Sequence, residues 1–239
     1  MVIVQHCADS AKQHAEATPF AGRLFALPDR CPHPDCQAAD ALIRWGTYER
    51  QARTSLEVYC IRVQRIRCKA CGRTHSLLPD FLHPYRHYVM SLLQRVVSLY
   101  LLAELGINRL MKRATGRGPV RSTVREWITS FAYGAGELLF DLLLRGLMSV
   151  GPLSELPETA APAHLHRIPS RTKRRRLERA HRFWQLAEHL YAQAKARLPR
   201  LHFTTAQLLS FVLHWLQGKG VPPRLFWSPS LSTTPTEPF

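Results

Sequence analysis

Hydrophobic and polar positions change their period along this 239-residue chain. Residues 41–48 and 55–67 alternate in part, and Val58, Tyr59, Ile61, Val63 and Ile66 favour an extended backbone, because branched and aromatic side chains suit a pleated, half-buried surface. These stretches predict two strands joined by the polar residues 49–54. Pro79 and Pro84 punctuate the chain after them. Over residues 88–105 the period becomes helical, with Leu92, Leu93, Val96, Leu99 and Tyr100 on one face. Gly106 ends that run. A short helix over 108–114 and a Gly-Arg-Gly-Pro turn at 116–119 come next. A second helix then carries Val124, Trp127, Ile128 and Phe131 at the spacings i, i+3, i+4 and i+7. Gly134 and Gly136 interrupt the pattern before another apolar helix over 137–150.

The expected fold class is α+β: a small β-rich N-terminal unit followed by a mainly helical region. Residues 1–28 read as a flexible arm, 29–87 as the β-rich unit and 88–150 as a helical domain. Proline and small residues make 151–163 the candidate linker. Basic and apolar helices occupy 164–218, and 219–239, which closes on a Ser/Thr/Pro-rich run, reads as a disordered tail.

Charge changes this picture. With 33 Lys and Arg against 17 Asp and Glu, the formal net charge is +16. An excess of that size concentrates polyanions near the surface, so nucleic acid is the first expected partner and an anionic membrane surface the second. Residues 1–20 lack the continuous apolar core of a signal peptide. The stretch that comes closest to spanning a bilayer, 138–150, is short and holds Asp141 and Arg145. The expected location is cytoplasmic and nucleoid-associated, with reduced thiols and no membrane partner.

Six cysteines then carry the candidate chemistry. Four fall as Cys31-x4-Cys36 and Cys68-x2-Cys71, on either side of the predicted strands. Two short cysteine loops brought together by an intervening hairpin supply the four soft ligands that tetrahedral zinc takes, and the β-rich unit is therefore expected to be a zinc ribbon. Four thiolates leave no position for water, which makes the site structural and not catalytic. Gly72 directly after Cys71 suits a knuckle with positive φ. The first loop is wider than the usual C-x2-C, so His33 within it and His75 beyond the second pair stand as rival ligands. Cys7 is left over, and Cys60 in a predicted strand reads as a small core residue.

Residues 31–88, centred on Arg67-Cys68-Lys69-Ala70-Cys71-Gly72-Arg73-Thr74-His75-Ser76-Leu77-Leu78-Pro79-Asp80-Phe81, resemble a bacterial family of zinc-ribbon proteins. That family is similar to the N-terminal region of DDE-type insertion-sequence transposases. Gly46-Thr47-Tyr48-Glu49-Arg50 fills its Gly-x-Tyr-x-Arg turn, and Arg65-Ile66-Arg67 precedes the knuckle as its pattern requires. The two extra residues in the first cysteine loop depart from that pattern. The resemblance covers residues 29–132 and implies a helix-turn-helix after the ribbon.

Without the resemblance, residues 105–131 still read as two short helices around a Gly-rich turn. Arg121, Ser122 and Arg125 would point outward near the start of the second helix, the part that enters a major groove. Arg109, Lys112, Arg113 and Arg117 would touch phosphates, which fixes register without reading bases. The densest basic run, Arg171, Lys173, Arg174, Arg175, Arg176 and Arg179, would hold the duplex backbone. A DDE nuclease needs three carboxylates around two metal ions, and the helical segment after residue 132 offers no strand context for them. The expected function is thus a zinc-binding, double-stranded-DNA-binding protein related to transposases, not an enzyme and without a small-molecule substrate. A transposase or a second copy of the chain is its expected protein partner. The competing readings are a transcriptional regulator, a zinc-ribbon module for RNA or protein, and the N-terminal remnant of a longer transposase.

Overall fold

The computed structural model describes residues 1–17, 25–103, 105–114, 118–149, 160–222 and 224–227. The chain is α+β and divides into two compact units, Met1–Ser91 with Leu213–Val221, and Leu92–Val212 with the segment from Pro222 onward. No helix among the described residues is long and apolar enough to cross a membrane.

The first unit is built on four strands, β1 (Val2–Gln5), β2 (Leu42–Arg53), β3 (Val58–Cys68) and β4 (Thr74–Pro79), in the order β1-β4-β3-β2. Strand β1 runs parallel to β4, and the other pairs are antiparallel. The segment expected to be a flexible arm therefore holds a strand and a helix, α1 (Ala11–Ala17). Val2–Gln5 is too short to register as a strand by alternation. It forms because Ile3 and Val4 are buried and its edge pairs with β4.

The hairpin turn also differs from expectation. Residues 49–53, polar except for the buried Ala52, continue β2, and the chain reverses at 54–57, where the Thr54 N–H donates to the Glu57 carbonyl at 2.9 Å. Thr54 Oγ1 accepts from the N–H groups of Leu56 and Glu57 at 3.2 and 2.9 Å. Strand β2 lies at the sheet edge and is mostly exposed, so polar side chains there cost little burial. The Gly-x-Tyr-x-Arg segment is likewise no turn. It lies inside β2, where the register shifts between Arg44 and Gly46 and Gly46 takes φ +152° at the bulge. Arg50 at its end donates to the carbonyls of His83, at 2.7 Å, and Arg86, tying the loop after β4 to the strand.

The helical region comprises α2 (Met90–Leu101), α3 (Ile107–Ala114), α4 (Arg121–Tyr133), α5 (Phe140–Met148), α6 (Ala163–His166), α7 (Arg171–Arg197) and α8 (Leu208–Gly218). Gly134 and Gly136 do not interrupt it. A wider, π-helical turn over Gly134–Leu139 carries α4 directly into α5. A Cβ on Gly134 would stand 2.3 Å from the Arg224 carbonyl oxygen, and one on Gly136 would stand 2.5 Å from that of Arg176. These glycines are there for close packing.

Phe131 is the centre of the second unit's core, with ring centroids 6.2 Å from Phe183, 6.2 Å from Trp184 and 5.2 Å from Phe226. Phe226 and Leu225 are buried, so the expected disordered tail is ordered in its first part. Residues 228–239, most of the expected linker 151–163, and residues 116–117 of the expected turn 116–119 lie outside the described residues.

Candidate metal centre

Two loops converge at one end of the sheet. The second, Cys68 to Arg73, is a tight knuckle: the Gly72 N–H donates to the Cys68 carbonyl and the Cys68 N–H to the Arg73 carbonyl, both at 2.9 Å. Gly72 takes φ +71°, the conformation expected from its place after Cys71. The first loop repeats this pattern with two more residues. The Cys31 N–H donates to the carbonyl of Ala38, two residues past Cys36, as Cys68 does to Arg73, two past Cys71. Gln37, the counterpart of Gly72, takes φ +49° and donates to the His33 carbonyl at 3.2 Å. The longer loop thus ends in the same turn.

The four sulfurs of Cys31, Cys36, Cys68 and Cys71 lie within 4.8 Å of one another. Cys31 Sγ is 3.8 Å from Cys71 Sγ, and Cys36 Sγ is 3.8 Å from Cys68 Sγ. A tetrahedral ion with zinc–sulfur bonds of about 2.3 Å needs sulfurs roughly 3.8 Å apart. The arrangement is compatible with zinc binding. Cys31 and Cys68 also belong to a buried cluster with Ile3, Leu42, Ile66 and Leu77, so the site continues the core of the first unit.

The cysteines are unequal as acids. Burial pushes the Cys31 thiol up to about 12. The Cys71 and Ala70 backbone N–H groups, aimed at the Cys68 sulfur, bring that thiol down to about 7. Those two donors favour a thiolate at Cys68.

Neither rival histidine joins the four sulfurs. His33 turns away to the Arg73 guanidinium, and its Nδ1 accepts from the Asp35 N–H at 3.3 Å. His75 Nε2 lies 3.7 Å from Cys31 Sγ alone, buried beside the cluster, and burial lowers its imidazole to about 4. Cys60 is no core residue. It is exposed on β3, with Sγ 3.6 Å from Glu49 Oε2 across the hairpin.

The expected DNA-contact residues sit elsewhere. On α4, Val124, Trp127, Ile128 and Phe131 are buried, while Arg121, Ser122 and Arg125 are exposed. Arg109, Lys112 and Arg113 are exposed on α3, and Arg117 lies outside the described residues. The basic run at the start of α7 is only partly exposed. Arg176 reaches Glu137 at 2.8 Å and Arg179 reaches Asp141 at 3.0 Å, with their guanidinium groups over the rings of Tyr133 and Phe140. Those two arginines hold α7 to α5 and the turn before it, which period and charge alone do not reveal. Arg62, Arg65, Lys69 and Arg73, exposed on β3 and its knuckle, were not among the expected DNA contacts.

Residues 31–114 match the model of a domain of unknown function (DUF6431). The matched segment opens on the first of the four cysteines and closes at the end of α3. Comparison with curated proteins and with solved structures gives no significant match.

Proposed function

We propose that this chain is a zinc-dependent, double-stranded-DNA-binding protein, related to transposases and working without a catalytic core of its own. The observation that carries this reading is the division of α4 into two faces. Its first turns present Arg121, Ser122 and Arg125 to solvent while Trp127 and Phe131 anchor the helix from behind. A helix with a fixed back and a cationic, hydrogen-bonding N-terminal face is the form that enters a major groove. The excess of +16 and the exposed cations of α3 support phosphate contact beside it.

In this reading Arg121, Ser122 and Arg125 meet base edges, and Arg109, Lys112 and Arg113 meet phosphates. Zinc on Cys31, Cys36, Cys68 and Cys71 is a closed structural ion that joins the two knuckles. The likeness of the second knuckle to transposase N-terminal regions supports a role beside a transposase.

The test is selection of bound duplexes from a random pool with zinc-loaded protein, repeated after chelation. Enrichment of a defined sequence, lost on chelation, is expected. A pool that stays unenriched in both conditions rejects the reading.

A further inference from the structure

A second group of ligating side chains lies in the first unit, outside the segment that matches the family model. Cys7 Sγ, a carboxylate oxygen of Asp9 and an imidazole nitrogen of His14 stand within 4.8 Å of one another. We propose that these three residues hold a second zinc ion, with one coordination position left for water.

The fold brings them together for reasons visible in the topology. Strands β1 and β4 are parallel and end in register, Gln5 opposite Pro79, so the two loops that leave them run side by side. The Asp80 N–H donates to the Gln5 carbonyl at 2.9 Å, and the Cys7 N–H returns to Asp80 Oδ1 at 3.1 Å. Asp80 is buried, and its Oδ2 lies 2.9 Å from His6 Nδ1 and 3.5 Å from His214 Nε2. The backbone that presents Cys7 is therefore held from several sides.

Ser10 begins α1 with a reciprocal cap, its Oγ accepting from the Gln13 N–H at 3.3 Å and its N–H donating to Gln13 Oε1 at 2.9 Å. This cap sets His14 one turn along, facing back to the loop. Its ring is buried, stacked 6.2 Å from Phe25 and edge-on 5.5 Å from Phe81. A ring fixed by packing keeps its ligating nitrogen aimed, the office that outer contacts perform at metal sites.

The chemistry and distances suit zinc. A thiolate, an imidazole and a carboxylate are the donor types it takes, and three protein ligands leave a fourth tetrahedral position open. Bonds of about 2.3 Å to sulfur and 2.0–2.1 Å to nitrogen place those atoms roughly 3.6 Å apart in a tetrahedron, and Cys7 Sγ lies 3.7 Å from His14 Nδ1. Cys7 and Asp9 are half-exposed, so the open position faces water.

The test is metal content of the full-length protein by plasma mass spectrometry after removal of loosely bound ions. Two zinc ions per chain are expected in the wild type, falling to one in both Cys7→Ser and Asp9→Asn. Cobalt substitution keeps this result separate from the ribbon site. The intense four-thiolate charge-transfer band should be unchanged in both variants, which also reports that the unit is folded. Added azide should shift only the cobalt bands that Cys7→Ser removes. One zinc per chain in the wild type, or two in either variant, overturns the proposal.

Discussion

Cys31 and Cys71 hold their sulfurs 3.8 Å apart although they are 40 positions apart in the chain. Cys36 and Cys68 make the complementary pair at the same distance. Each knuckle thus offers sulfur to the other, and an ion at the centre would cross-link the first cysteine loop to the end of β3. Cys31 and Cys68 belong to the buried apolar cluster, so an ion held there would couple metal binding to folding of this part of the first unit. Cys71→Ser should abolish zinc binding by the four cysteines and, with it, on the order of 10 kcal/mol of folding free energy at neutral pH. Circular dichroism of the variant, and of the wild type in chelator, should show loss of the first unit's cooperative melting. An unchanged melt in chelator would contradict the coupling.

Two buried histidines make the same unit sensitive to acid. Burial lowers His83 to about 3, and His75 to about 4. The unfolded chain, whose histidines titrate near ~6.5, binds these protons more readily. The stability that depends on keeping them neutral is complete above about pH 6.5 and falls as pH drops toward the folded values. Each contributes roughly 1.4 kcal/mol per pH unit at full effect. His83→Leu should lessen the loss between pH 6 and pH 5 by about that amount, read from urea denaturation at the two pH values. A slope equal to that of the wild type would remove His83 as its source.

Gly136→Ala should destabilise the second unit. The new methyl would stand 2.5 Å from the Arg176 carbonyl oxygen and 3.0 Å from the Ala180 nitrogen, both backbone atoms of α7. Overpacking against backbone costs about 1–3 kcal/mol or more. Gly106→Ala meets nothing within 4 Å and serves as the control. Equal midpoints for both variants in chemical denaturation would mean that the helices separate freely.

On DNA, Arg125→Ala should change which sequences are preferred, by about 1–3 kcal/mol between the best site and a mismatched one. Lys112→Ala should weaken binding to all duplexes alike and reduce the salt slope by about one. Competition binding with specific and random duplexes checks both. Equal loss on all sequences for the two variants rejects α4 as the reading helix.

Periodicity was enough to find the long strand β3, the helices α2 and α4, and the buried face of Val124, Trp127, Ile128 and Phe131, because each follows a local repeat. Cysteine spacing was enough to pair Cys31 with Cys36 and Cys68 with Cys71, since a knuckle is a local turn. The extent of β2 was not legible, because an edge strand needs no alternation. The roles of Gly134, Gly136, Arg176 and Arg179 were not legible either, because each depends on an element distant in the chain.

The sequence by itself determined the α+β division, the turns that present the cysteines and the polarity of α4, all set within a few residues by backbone preference and period. Tertiary structure alone decided that His33 and His75 stay outside the four sulfurs, because ring direction depends on the partners each loop finds in space. It also decided that the first residues form a strand. Four residues carry too little pattern to specify one, and the parallel edge of β4 supplies the hydrogen bonds that do. That same pairing brings Cys7 to His14 and Asp80, a juxtaposition that no spacing in the chain announces.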